Sequence, residues 1–521
     1  MRLRSTLIAV AGIVALAVGC GGQGAPATTG KGAVDSTADS TATSAKPERA
    51  DLKVAVPSKI DSIDPLIASG VTEIQVLRLV AGTLFTLDYD GKGVTPGLAK
   101  SGEFAADGRS YKATLKEGLT FSDGSPLTSA DVVATFERAR AFESNVYAGE
   151  YAPVRKATAV DPATVEFAFT RAFPSFETMI SFPEFSILKK SEIGAKGAIP
   201  PSPTLAGPYV VEGDVHGNSY ALTRNTAYSG PEPSVKKISF SVVPDASGRL
   251  TQVRGGQADL AVDIGVQAIS QSLSGVSVHA NPSMIITQLT FSANTAPLTD
   301  VNVRKAISAA LDRKKISQIA WAGAMPPNAG LLPTGSIGAA PGNAGADPAA
   351  AKELLKGTAC ENGCSLSLLL DGSSGWQSSS ATIIEQNLKE IGITVSIQPL
   401  ETITLYDRLG KGDFQLATGY FGAYADLPDA TPQYCLSHSY GFLSCYTGYK
   451  SAEAETAVGK AVTATDEAAL KDAYAGVNAI FEKDAPLATL TDYAAVWAVR
   501  DDARGYASIG ATAFITIAPK G

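Results

Sequence analysis

Residues 366–418 read LSLLLDGSSGWQSSSATIIEQNLKEIGITVSIQPLETITLYDRLGKGDFQLAT, and their hydrophobic period changes several times. Residues 366–370 form a short apolar run of strand length. Residues 381–391 repeat their apolar positions at helical spacing, and Gly392 stands at the C′ position that ends helices. Residues 393–397 read as a second strand, 402–410 as a helix and 414–418 as a third strand. Strand–helix–strand–helix–strand at this spacing predicts a parallel sheet of the α/β class. Trp376 falls between the first strand and the first helix, in SSGWQSS, and reads as an exposed loop residue.

Upstream, 303–319 (VRKAISAALDRKKISQI) predicts one amphipathic helix. Asp347-Pro348 predicts an N-cap followed by proline at the first helical position, opening AAAKELLKG. The first half has another character. DLKVAV at 51–56 alternates like an opening strand, and 86–91 (TLDYDG) reads as a strand end entering a turn. Residues 111–115 and 164–169 alternate with period two, as antiparallel strands do. Thr128-Ser129-Ala130-Asp131 is a capping box that opens a helix through VVATFERARAF. No internal repeat is visible.

The N-terminus reads MRLRSTLIAVAGIVALAVGCGG. Arg2 and Arg4 precede an apolar run at 7–19, which is shorter than the ~20 residues that span a bilayer. Small residues then precede Cys20. This is a secretory layout, and it resembles the lipobox of bacterial lipoproteins, with Ala17 where leucine is more usual. Residues 1–20 are therefore expected to be a lipoprotein signal and Cys20 the lipidated residue. Residues 21–50 carry no aromatic side chain and little aliphatic surface, so a disordered tether is expected. A lipid-anchored domain on the extracytoplasmic face of the cell membrane follows, since multiple acyl chains give stable attachment. No later stretch has the length and apolarity of a transmembrane helix.

The chain has 521 residues with 43 basic and 51 acidic side chains, net −8. Without Arg2 and Arg4 the balance is 41 against 51, net −10. An acidic chain without Lys/Arg clusters argues against a nucleic-acid partner. Length predicts two or three domains at ~150 residues each. Four cysteines follow Cys20, an even number in an exported chain, which suggests disulfides. Local pairing, Cys360–Cys364 and Cys435–Cys445, is expected among three connectivities. The absence of histidine near the first pair and the long spacing of the second disfavour zinc.

The chain resembles the extracytoplasmic solute-binding proteins of bacterial ABC transporters, in the oligopeptide- and dipeptide-binding group. The resemblance is strongest at 96–138, PGLAKSGEFAADGRSYKATLKEGLTFSDGSPLTSADVVATFER. It continues through Gly207-Pro208-Tyr209, 222–228 (LTRNTAY), 256–260 (GQADL), 300–312 (DVNVRKAISAALD) and the helix at 474–484 before Ala485-Pro486. Gly102 departs from a common tryptophan, and Ala423 stands where a cleft tryptophan often lies.

The resemblance implies a two-lobed periplasmic-binding-protein-like fold that closes like a flytrap. Lobe I would comprise 51–285 plus 497–521, with an extra subdomain at about 80–175, and lobe II would comprise 286–496. The crossings would fall near 285–289 and 497–500. It also implies that Asp426, in the segment GAYADLPD at 422–429, holds a peptide's α-ammonium. Tyr424, Phe421 and Trp376 are expected to wall the cleft. Asp429 and Pro428 read as turn chemistry, and Trp321 reads as packing. His216, His279 and His438 are scattered, and no nucleophile motif, metal motif or P-loop accompanies them. No catalytic residue, metal site or cofactor is expected. The expected activity is capture of oligopeptides for an ABC permease by a monomer. Nickel complexes, opines or oligosaccharides as ligands, a peptide sensor and a secreted hydrolase are the alternatives.

Overall fold

The stretch that alternates strand and helix in sequence supplies three neighbouring strands of a five-stranded sheet. In the computed structural model, which describes residues 49–68, 70–87, 93–280, 285–340, 342–422, 436, 447–504, 506–509 and 515–517, its order is Ile393–Leu400, Cys364–Asp371, Leu416–Gly422, Ile285–Phe291 and Leu487–Asp492. The first three strands run parallel, as expected. Ile285–Phe291 runs antiparallel to both of its neighbours, so the sheet is mixed and not wholly parallel. Pairing direction is set by where the chain enters the sheet, which periodicity does not record.

A seven-stranded sheet carries the other half, in the order Val276–His279, Trp497–Arg500, Leu260–Ala261, Arg49–Val56, Val235–Val242, Ser219–Arg224 and Tyr209–Glu212. The chain thus passes from the seven-stranded to the five-stranded sheet between His279 and Ile285, and returns between Asp492 and Trp497. The fold is α/β and two-lobed. Against the first lobe lies a four-stranded antiparallel sheet, ordered Ala99–Phe104, Ser110–Leu115, Thr164–Phe169, Val154–Asp161. The helix Ser129–Ala141 packs on it, opened by the expected box: Thr128 N donates to Asp131 Oδ2 at 2.8 Å.

Two departures from expectation have local causes. The predicted helix at 303–319 is two helices, Val301–Ala310 and Arg313–Ala320. Asp312 serves as the second N-cap, its side chain accepting from Lys315 N at 3.0 Å, and so breaks the run. The helix expected at 381 begins earlier, as Gly375–Glu390, while Gly392 takes its predicted left-handed place at φ 86°.

The family-like motifs have structural work. A Cβ on Gly207 would lie 2.3 Å from Val80 C, so only glycine fits there. Asn225 Nδ2 donates to Gly207 O at 2.8 Å, tying the RN motif to the GPY motif. A Cβ on Gly102 would lie 1.5 Å from Tyr111 Oη, which fills the space and donates to Glu177 at 2.6 Å. Buried Arg304 donates to Leu298 O, Ala485 O and Asp484 O at 2.8, 2.9 and 2.6 Å. It thereby satisfies carbonyls at the end of the helix Glu467–Asp484.

Cys360 and Cys364 sit at bonding distance, with Cα atoms 4.9 Å apart. Cys435 and Cys445 lie outside the described residues, as does Cys20. Closing so short a loop restricts the unfolded chain modestly, by about 2 kcal/mol. Replacing both Cys360 and Cys364 with serine is therefore expected to lower stability by about that amount in urea denaturation. A loss below ~0.5 kcal/mol would contradict the entropic account.

Candidate functional site

Ligands of open α/β sheets bind beyond the carboxyl ends of the parallel strands. Here those ends are Asp371, Leu400 and Gly422. A buried polar network ties them together. Asp371 Oδ1 accepts from Ser373 N and Oγ at 2.9 and 2.5 Å, and its Oδ2 accepts from Thr402 Oγ1 at 2.8 Å. Gln377 Oε1 accepts from Asp371 N at 3.0 Å and from Thr418 Oγ1 at 2.9 Å. Neighbouring strands and the helix Gly375–Glu390 are thus locked to one another at the end where a ligand would sit.

Beside this network runs an aromatic row. Trp376 stacks on Trp321 with centroids 5.7 Å apart, Trp321 meets Tyr493 edge-on at 5.5 Å, and Tyr493 stacks on Tyr420 at 4.9 Å. Tyr493 opens the return crossing, so the row reaches from the helix to the point where the two halves join. Next to it Asp492 is fully buried and accepts from Asn328 Nδ2 at 2.9 Å and Thr334 N at 3.1 Å. Burial raises the Asp492 carboxyl above its ordinary value, and these donors oppose the shift.

Trp376 departs from its sequence reading. It lies in the first turn of a helix and is only 7% exposed, because Trp321 covers its ring. It belongs to the aromatic row and is not an exposed loop wall. Trp321 is 1% exposed and packs as expected. Trp497 is buried in the seven-stranded sheet. The Phe421 backbone pairs with Ile286. Tyr424, Asp426, Asp429 and His438 lie outside the described residues. His216 Nδ1 bonds Ile60 O at 2.7 Å on the surface, and His279 pairs with Trp497 along a strand. Among the described residues, no group of three His, Cys, Asp or Glu side chains is placed to hold a metal. Also among them, no helix is long and apolar enough to cross a membrane.

Sequence reasoning missed Tyr420, Tyr493 and Gln377. Tyr420 shares a strand face with Thr418 by the period of two, and that was the one available signal. Outside the crossings, contacts among the described residues also bring the halves together. Arg171, in the chain after the strand Thr164–Phe169, donates to Val462 O at 3.0 Å, the carbonyl that follows the helix Ala452–Ala461. A Cβ on Gly375 would lie 2.9 Å from Nε2 of Gln267, which belongs to the first half.

Residues 93–442 match the model of the family described as bacterial extracellular solute-binding proteins, family 5 Middle. The probable D,D-dipeptide-binding periplasmic protein DdpA of Escherichia coli K12 is 25% identical over 405 residues, which are 73% of this chain and 75% of the relative. The structure of the dipeptide-binding protein from Pseudoalteromonas sp. SM9913 in complex with Met-Leu overlays with a TM-score of 0.79 at 20% identity, covering 90% of this chain and 100% of that one. NikA from Brucella suis, in complex with Fe(III)-EDTA, also gives 0.79 at 22% identity, with the same coverage.

Proposed function

Because the chain belongs to the bacterial extracellular solute-binding proteins of family 5, we propose that it captures short peptides between its lobes and delivers them to an ABC permease. It acts as a monomer tethered by lipid at Cys20 through residues 21–50. Lobe I comprises 51–285 and 497–521, with the extra subdomain at about 80–175, and lobe II comprises 286–496. Asp426 holds the peptide's ammonium, and Tyr424 and Phe421 flank it. Trp376 supports this wall through the aromatic row. Peptide backbone pairs with the strand that ends at Gly422.

The observation that carries this reading is the pattern of contacts between the two sheets. Two chain crossings join them, and the Arg171–Val462 bond adds a contact between the chain after the four-stranded sheet and the end of the helix Ala452–Ala461. That bond forms only when the lobes are together, so it favours the closed state just as ligand does. The helix end also attracts a cation. The peptide class is supported by the dipeptide-binding relatives.

A titration with a pool of di- to pentapeptides tests the reading. Micromolar or tighter binding, accompanied by compaction in small-angle scattering, is expected. The Arg171→Ala variant should bind roughly 5- to 30-fold more weakly, from a charge-assisted bond of ~1–2 kcal/mol, with most of the change in the dissociation rate. Unchanged affinity and rate in that variant would refute the closing role. Absence of binding by wild type would refute the peptide class.

A further inference from the structure

The two strands that carry the chain between the sheets lie side by side in lobe II. Ile285–Phe291 begins where the first crossing arrives, and Leu487–Asp492 ends where the second departs. Close to both crossings their ladder skips a residue. Thr287 pairs with Thr491 but Gln288 pairs with Thr489, so Leu490 is the extra residue of a β-bulge. One row nearer the crossings, Thr287 Oγ1 and Thr491 Oγ1 bond each other at 2.8 Å. Past the skip, the polar side chains are left over. Gln288 is 2% exposed and Thr489 is fully buried, yet Gln288 Oε1 and Thr489 Oγ1 have no hydrogen-bond partner among the described residues. Gln288 Nε2 donates to Thr290 Oγ1 at 3.3 Å. Turning that amide over exchanges its two polar atoms and still leaves one without a partner.

Both atoms belong to one face of the sheet. Cross-strand partners point the same way, and neighbours along a strand alternate. Leu289 and Ala488, the next pair, join the core on the opposite face, with Trp321 and Trp376. Leu487 and Ala417 are both partners of Thr290 and so share the face of Gln288 and Thr489, but they belong to two separate apolar clusters. The polar row stands where those clusters fail to meet. Gly419 is the partner of Gln288 on the third strand, and a Cβ there would meet no described atom within 4 Å, so the row has room. We infer that an internal water molecule occupies this row, bonded to Gln288 Oε1 and Thr489 Oγ1, as a fixed part of the root of both crossings. Directly opposed Cβ atoms stand about 5 Å apart, a span that one water bridges. Leaving either atom buried and unpaired costs the full desolvation of that group, and a water with two or more polar partners removes the cost. Thr290 Oγ1, on the same face, offers a third partner. A bulge redirects the strand that carries it, so the water completes the pairing that Leu490 interrupts and holds the two strands in the direction in which they leave the sheet. The site is independent of which solute the cleft takes.

The test uses the full chain, secreted as the Cys20→Ser variant. A high-resolution crystal structure is expected to show an ordered water at about 2.7–3.2 Å from both atoms. Density that joins Gln288 and Thr489 directly, or that holds no water between them, would overturn the inference. This arm needs no change at the site, so it stands even if the variants below misfold. Thr489→Val keeps the shape of the side chain and removes the hydroxyl, which leaves the water short of a partner. It is expected to raise the unfolding constant in urea by roughly 5- to 30-fold. Adding Gln288→Leu removes the remaining polar atom, so the row no longer needs a water and much of the loss should be recovered. A change below about twofold in Thr489→Val, or losses that simply add in the double variant, would show that the two atoms share no water.

Discussion

Replacing Asp64 with alanine is expected to destabilise the protein by about 3–5 kcal/mol, the loss that follows when one partner of a buried ion pair is removed. Asp64 follows the first strand, and Arg138 lies on the helix Ser129–Ala141. Both are buried, at 8% and 3% exposure. Arg138 donates to Asp64 Oδ1 at 2.8 Å and also to Oδ2, and its Nε reaches Gly197 O at 2.7 Å. Its guanidinium lies 4.5 Å from the centre of the Phe142 ring. Alanine at 64 strands this cation without a counter-charge. The pair also joins the opening segment of lobe I to the four-stranded sheet, so its loss loosens two elements. Urea denaturation measures the effect as a lower midpoint at unchanged slope. Replacing both residues with apolar ones should recover much of the loss, because the stranded charge is then gone. A single-variant loss under ~1 kcal/mol would show that solvent reaches the pair after all.

The second large effect is on binding. On the proposed reading that Asp426 holds the peptide's ammonium, Asp426→Ala is expected to weaken peptide binding by about 2–5 kcal/mol, or roughly 30-fold and more, because truncating one side of a charge pair leaves the other unpaired. N-acetylation of the peptide should cost wild type a similar amount. In Asp426→Ala the acetylated and free peptides should bind alike. Retention of the free-amine preference in the variant would assign the ammonium contact to another carboxylate.

The alternation of strand and helix across 364–422 was legible because a strand shows period two and a helix 3.6 in local sequence. Thr128 and Gly392 were legible for a related reason: caps obey local backbone chemistry. The break at Asp312 was not, because an aspartate on a helix surface and an aspartate at an N-cap look alike in one dimension. The antiparallel entry of Ile285–Phe291 depends on where the chain arrives from the other sheet. Trp376 misled for a similar reason. Its Gly and Ser neighbours favour a loop, but Trp321, far away in sequence, covers its ring. In the site, Asp426 was marked by motif resemblance alone. The bonds of Gln377 to Asp371 and Thr418 are a combination that only the folded chain assembles.

The most direct measurement is native mass spectrometry of the Cys20→Ser chain as secreted, weighing what co-purifies with it. A mass excess spread over peptide values, lost in Asp426→Ala, is the expected result. A single sharp non-peptide mass that survives in Asp426→Ala would contradict the peptide-binding account.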